Sequence, residues 1–144
     1  MQVDPIGIIH SPFKSKNETP IQPFESNAVG RVEVFKQYKD GLCDIEGFSH
    51  VILIYCFHKS RGYSLRVKPY LDSKKRGLFA TRAPRRPNRI GMTVVKLIRR
   101  SGNVLIVRGI DVIDGTPLLD IKPYVPDFNA QGKIKIGWLK GKLR

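Results

Sequence analysis

The chain has 144 residues, 41% of them hydrophobic, which fits one ordinary domain with a real core. Its formal net charge of +14 and isoelectric point of about 10.1 favour an anionic partner: nucleic acid, an acidic surface or a phosphorylated ligand. No apolar run approaches the ~18 residues that span a bilayer, and "MQVDPIGIIH" lacks a basic segment followed by a long apolar one, so the expectation is an intracellular, cytoplasmic protein.

In chain order, "IGIIH" (6–10) is a short apolar run that predicts a strand. Residues 11–29, "SPFKSKNETPIQPFESNAV", predict a long polar loop, and loops of that length in a compact domain are usually functional or mobile. "GRVEVF" (30–35) alternates as a strand does, and "KQYKDGL" (36–42) is the one helix-like piece. "FSHVILIYCFHKS" (48–60) is rich in β-branched and aromatic residues and predicts a buried strand. "GLFATR" (77–82), "IGMTVVKLIRR" (90–100), "NVLIVRGIDVI" (103–113) and "LLDIKPYV" (118–125) predict further strands. Turn chemistry separates them in "RPN", "SGN" and "DGTP", and Arg100–Asn103 reads as a tight hairpin. "KIKIGWLKGKLR" suits a strand or a fraying helix. Short strands at regular spacing with little helix argue an all-β barrel or sandwich.

The charge is unevenly spread. Between Asp72 and Asp111 stand eleven Lys and Arg and no acid, and after Asp127 only Lys133, Lys135, Lys140, Lys142 and Arg144 are charged. Within the first tract, Arg82, Arg85, Arg86 and Arg89 crowd one proline-broken loop, where mutual repulsion calls for an anion. Exposed aromatics do not interleave with these arginines along the chain, which argues against a pure stacking platform.

Familiar chemical signatures are missing. There is no GxGxxG, no GxxxxGK[ST], no GxSxG and no HExxH, so a Rossmann dinucleotide fold is not expected. Cys43 and Cys56 form neither a CxxC pair nor zinc spacing, and read as reduced thiols. His50 and His58 share a strand face but would lie roughly 26 Å apart at strand rise, so no metal site is expected. His58 follows the apolar run where the chain surfaces beside Lys59. "DGTPLLDIKPY" (114–124) reads as a turn able to offer backbone amides and a carboxylate.

Together "IGIIHSPFK", "GLCDIEGFSHVILIYCFHKS", "GLFATRAPRRPNRIGMTVVKL" and "DGTPLLDIKPYVP" resemble the TrmO family, also called TsaA-like or YaeB, over about residues 5–126. The resemblance implies a single β-barrel with short helical pieces and long loops, unlike Rossmann-like methyltransferases. It implies an S-adenosylmethionine-dependent tRNA methyltransferase, modifying the exocyclic nitrogen of threonylcarbamoyl-adenosine beside the anticodon. It also implies a homodimer with the cofactor near the subunit interface. Carried over residue by residue, the cofactor contacts are Pro23, Phe24, Glu25, His58, Lys59, Arg82, Met92, Asp114, Gly115, Thr116 and Pro117. Arg85, Arg86, Asn88 and Arg89 are the expected tRNA contacts. Bacterial members carry a further C-terminal domain, whereas residues 1–144 are expected to form one barrel domain without it, the basic tail taking part of the RNA contact.

The acceptor nitrogen is conjugated to purine and carbonyl, so its proton must leave for it to react well. His58, Tyr124 and Asp111 are the candidate bases, with solvent as a fourth option. Two other readings stay open: a basic RNA-binding barrel without chemistry, and a methyltransferase with another RNA or small-molecule acceptor.

Overall fold

The computed structural model describes residues 1–20 and 26–143. Its strands are β1 (Gly7–His10), β2 (Val29–Val34), β3 (His50–Cys56), β4 (Arg66–Val67), β5 (Arg76–Gly77), β6 (Ile90–Ser101), β7 (Val104–Arg108) and β8 (Thr116–Pro123). Six of them close into an antiparallel barrel in the order β1-β2-β7-β6-β3-β8, and β4 and β5 form a separate two-stranded ribbon. The expected β-barrel is thus the observed one.

Alternation explains the closure. In β3, Val51, Leu53 and Tyr55 point inward and are almost fully buried; in β6, Thr93, Val95 and Leu97 do the same. Ile9, Val32, Val34, Leu105, Val107 and Leu118 complete an aliphatic interior. Closing the sheet removes the unpaired edges that an open one would expose. Two bulges provide the bend. Leu119 is the extra residue where β8 passes Ile54 and Tyr55, and Ile98 is the extra one where β6 passes β7. The hairpin at 100–103 forms as expected: Ser101 pairs with Val104 and Gly102 takes φ 62, the left-handed value that a primed two-residue turn asks of its first residue.

Two expected strands differ. "GLFATR" is not a strand: only Gly77 pairs, in β5, and Leu78–Ala80 make a 3₁₀ turn. Burial of Leu78 mimics a strand signal, and the Thr81 hydroxyl donates to the Leu78 carbonyl at 2.7 Å to stop the segment. The strand expected at 103–113 ends at Arg108, because Gly109 turns the chain with φ 101. Ile110 and Val112 still bury, so the alternation outlasts the ladder. Of the two options for the C-terminal segment, strand or fraying helix, the structure takes a short helical one, a 3₁₀ turn at Gly137–Leu139.

Candidate active site

One mouth of the barrel opens into a cavity of about 520 Å³. Its walls are the end of β3 and the residues after it (Tyr55 and Phe57 to Ser60), the start of β6 (Ile90 to Met92), Asp111 to Ile113 with Thr116, the arginine loop, and Lys16, Thr19 and Pro20. The size falls within the usual range of small-molecule pockets.

The floor is aromatic. Tyr55 and Phe57 meet edge to face with centroids 5.3 Å apart. Gly91, facing Tyr55 across the β3–β6 ladder, makes room for both: a Cβ there would lie 2.6 Å from either ring. Asp111 sits beside them. Burial pushes its carboxyl up to about 6, and its Oδ1 has no hydrogen-bond partner among the described residues. The neighbouring Thr93 hydroxyl pulls the other way, yet its Oγ1 closes no hydrogen bond either. The Tyr55 hydroxyl is held well above its ordinary range, first by burial and then by the Asp111 charge, with Arg82 opposing. Tyr55, Asp111 and Arg82 therefore form one electrostatic group. His58 lines the same cavity with its pKa lowered, mainly by burial and then by Lys59, so its neutral form is favoured.

The arginine loop is fastened by its own cations. Arg86 Nη1 donates to the Thr81 and Ala83 carbonyls at 2.9 and 3.1 Å, and its guanidinium lies 5.8 Å from the Phe79 ring centroid. Arg89 donates to the Ser60 carbonyl and so ties the loop to the end of β3. Carbonyl dipoles thus absorb part of the charge that the sequence left unexplained. Arg82 lines the cavity and has no salt bridge among the described residues. Arg85 and Asn88 are exposed, and Arg85 borders a second, smaller cavity.

The structure divides the expected cofactor contacts. His58, Lys59, Arg82, Met92 and Thr116 border the cavity, together with Asp111 and Arg86. Asp114, Gly115 and Pro117 do not border it. Asp114 instead accepts from the Ser11 backbone at 2.9 Å and from Lys14 Nζ at 2.9 Å, and these bonds, Lys14 first, hold its carboxyl below the usual range. Gly115, at φ 84, turns the chain and donates its amide to Ile9. Pro117 pairs opposite Ile8 within the barrel wall. Pro23, Phe24 and Glu25 lie outside the described residues. Tyr124 stands at the other end of β3, where its amide donates to the His50 carbonyl at 3.2 Å, away from this cavity. Tyr55, Phe57 and Gly91 border the cavity and Thr93 neighbours Asp111, and the sequence reading singled out none of the four. The hints were a phenol ending an aliphatic strand and a glycine inside a strand pattern, which often marks a close approach.

Among the described residues, no cluster of three or more His, Cys, Asp or Glu could hold a metal ion, and no helix is long and apolar enough to cross a membrane.

The family model for the tRNA-methyltransferase O N-terminal domain matches residues 8–130. A probable S-adenosyl-L-methionine-binding protein of Pyrococcus abyssi is 56% identical over 137 residues, covering 94% of this chain and 74% of that protein. A human tRNA (adenine(37)-N6)-methyltransferase is 41% identical across 88% of this chain, which spans only 31% of its length. The crystal structure of TrmO from Pseudomonas aeruginosa superposes with a TM-score of 0.80 at 40% identity, over 95% of this chain and 61% of that one.

Proposed function

Because the chain belongs to the tRNA-methyltransferase O N-terminal-domain family, we propose that it is an S-adenosylmethionine-dependent tRNA methyltransferase whose acceptor is the exocyclic N6 of threonylcarbamoyl-adenosine beside the anticodon. The observation that carries this reading is the cavity at the barrel mouth, where Arg82, Met92, Asp111, His58 and two aromatic rings converge.

The residues fit the cofactor. Tyr55, Phe57, Ile90, Met92 and Val112 give an apolar slot, and ring faces favour a sulfonium as they favour other cations. Arg82 is suited to grip the amino-acid carboxylate bidentately. Gly91 keeps the slot open. When bound, S-adenosylmethionine would supply a methyl group on positively charged sulfur that leaves as a neutral thioether.

The chain's own part is to align the acceptor, exclude water and take its proton. Asp111 is the better base of the candidates bordering the cavity. Burial raises its carboxyl to about 6, so it is mostly ionised at neutral pH and more basic than an ordinary aspartate. Its Oδ1 has no hydrogen-bond partner among the described residues. His58 lies on the wall, where it would border a bound ligand. Arg85, Asn88 and the outer faces of Arg86 and Arg89 would meet the RNA backbone, and affinity should fall with salt as phosphate contacts release counterions.

A homodimer belongs to the same reading. The outer face of β6 exposes Ile90, Met92 and Val94 by 46, 44 and 37%. They pair in register with Cys56, Ile54 and Ile52 of β3. A second copy covering this stripe would border the cavity through Ile90 and Met92, and light scattering would give the mass that tests it. Work on tRNA fits a cytoplasmic location.

The deciding experiment is calorimetric titration with S-adenosylmethionine and S-adenosylhomocysteine, followed by mass spectrometry of nucleosides from tRNA with and without the threonylcarbamoyl group. Saturable binding and a methyl gain confined to the modified tRNA support the reading. Binding without that gain favours another acceptor, and absence of cofactor binding favours the plain RNA-binding barrel.

A further inference from the structure

A second cavity, of about 300 Å³, lies beside the first and is lined by Arg61, Gly62, Tyr63, Ser64, Val67 and Arg85. The two share a wall through the chain itself. Ser60 borders the first and Arg61 the second; Pro84 and Arg86 border the first and Arg85 the second. Consecutive Cα atoms are about 3.8 Å apart, so the openings are within reach of adjacent nucleotides of one strand.

Tyr63 is 55% exposed, and among the described residues its ring makes no aromatic or cation–π pair and its hydroxyl closes no hydrogen bond. Phe79, on the same excursion, differs because Arg86 already covers part of it. Two guanidiniums flank the free phenol. The nearby acid, Asp72, is already paired with Arg76 and Lys142 at 2.5 and 3.1 Å, so little opposes an anion here. The fold therefore brings Arg85 to the Arg61–Tyr63 pair, which the sequence already sets two residues apart.

We propose that this cleft receives the nucleotide next to the target adenosine, its base stacked on Tyr63 and its phosphate held by Arg61 and Arg85. The proposal rests on the tRNA reading above and adds a specificity-determining subsite to it. One unpaired base and one phosphate match one ring and two cations, as in single-strand binding sites generally.

The test is methylation of an anticodon stem-loop RNA carrying the acceptor nucleoside, with each neighbouring base in turn made abasic. Tyr63→Leu should raise KM for the RNA about tenfold, in the range that base–aromatic stacking commands, while Tyr63→Phe keeps wild-type KM. The abasic neighbour should cost the wild type the same factor and cost Tyr63→Leu nothing more. Unchanged affinity for S-adenosylhomocysteine shows that the variant is folded. Wild-type KM in Tyr63→Leu, or losses that multiply when both changes are combined, overturns the subsite while leaving the methyltransferase intact. A wild-type protein that binds cofactor but neither binds nor methylates the RNA overturns the tRNA reading itself, and the subsite with it.

Discussion

The barrel and the excursion from Phe57 to Arg89 are ordered by different means. The barrel has continuous ladders and an aliphatic interior, so each contact is one of many. The excursion has a two-rung ribbon, Phe57 packed against the barrel core at its start, the buried Leu78 and a handful of charged side chains bonded to carbonyls or to Asp72. Trp138 adds a further tie, its indole N–H donating to the Ala80 carbonyl at 2.8 Å with Arg76 over its ring. Damage to the barrel should therefore be graded and global. Damage to the excursion should be local and should appear in binding before it appears in stability.

The largest effect should come from the barrel. Leu53, fully buried, cut back to Ala should cost ~2–5 kcal/mol in denaturant unfolding, with cofactor binding lost only as the fold is lost. A local effect on binding with unchanged unfolding would break the contrast.

Asp111 joins the two regions, and Asp111→Asn should lower methyl transfer by about 10²-fold or more with cofactor affinity nearly kept. Wild-type rate should rise with pH through about 6, as the carboxylate forms, and the variant should lack that limb. Stability should move the opposite way. The folded carboxyl holds its proton to higher pH than the unfolded one, so its contribution is full in acid and is lost as pH rises through about 6. The loss is on the order of 3 kcal/mol, and Asp111→Asn should flatten it.

Arg86→Ala should raise KM for cofactor and RNA together by about tenfold, the size of one charge-assisted hydrogen bond. The melting temperature should barely move. A change in RNA affinity alone would mean that Arg86 serves phosphate rather than its own loop. Smallest of all, Asp72→Asn should speed proteolysis near Lys142 without changing the fold. Because Arg76, then Lys142, hold the Asp72 carboxyl far below its usual range, the same loosening should appear in wild type only in strong acid, where that carboxyl takes up a proton.

The same contrast decides what the sequence reveals. Barrel strands such as "HVILIYC" announce themselves because burial follows a period of two. The excursion has no period to read. Its order comes from pairings such as Arg89 with Ser60 and Asp72 with Lys142, which link distant positions through side chains. The family resemblance reached Arg82, Met92 and His58 because they lie within motifs. Asp114 lies within a motif too, and its carboxylate accepts from Ser11 and Lys14. Tyr55 and Gly91 stayed hidden because each looks ordinary until β3 and β6 are set side by side.

Those bonds of Asp114 have one more consequence. Lys14 is tied to Asp114 at one end of the first long loop, and at the other Ser26 donates to the Ile110 carbonyl. Both ends of the strap are thus moored to the same short stretch, residues 110–114. Loosening residues 110–114 would therefore release Lys14 and Ser26 at once, which makes that short stretch a shared anchor for the barrel mouth.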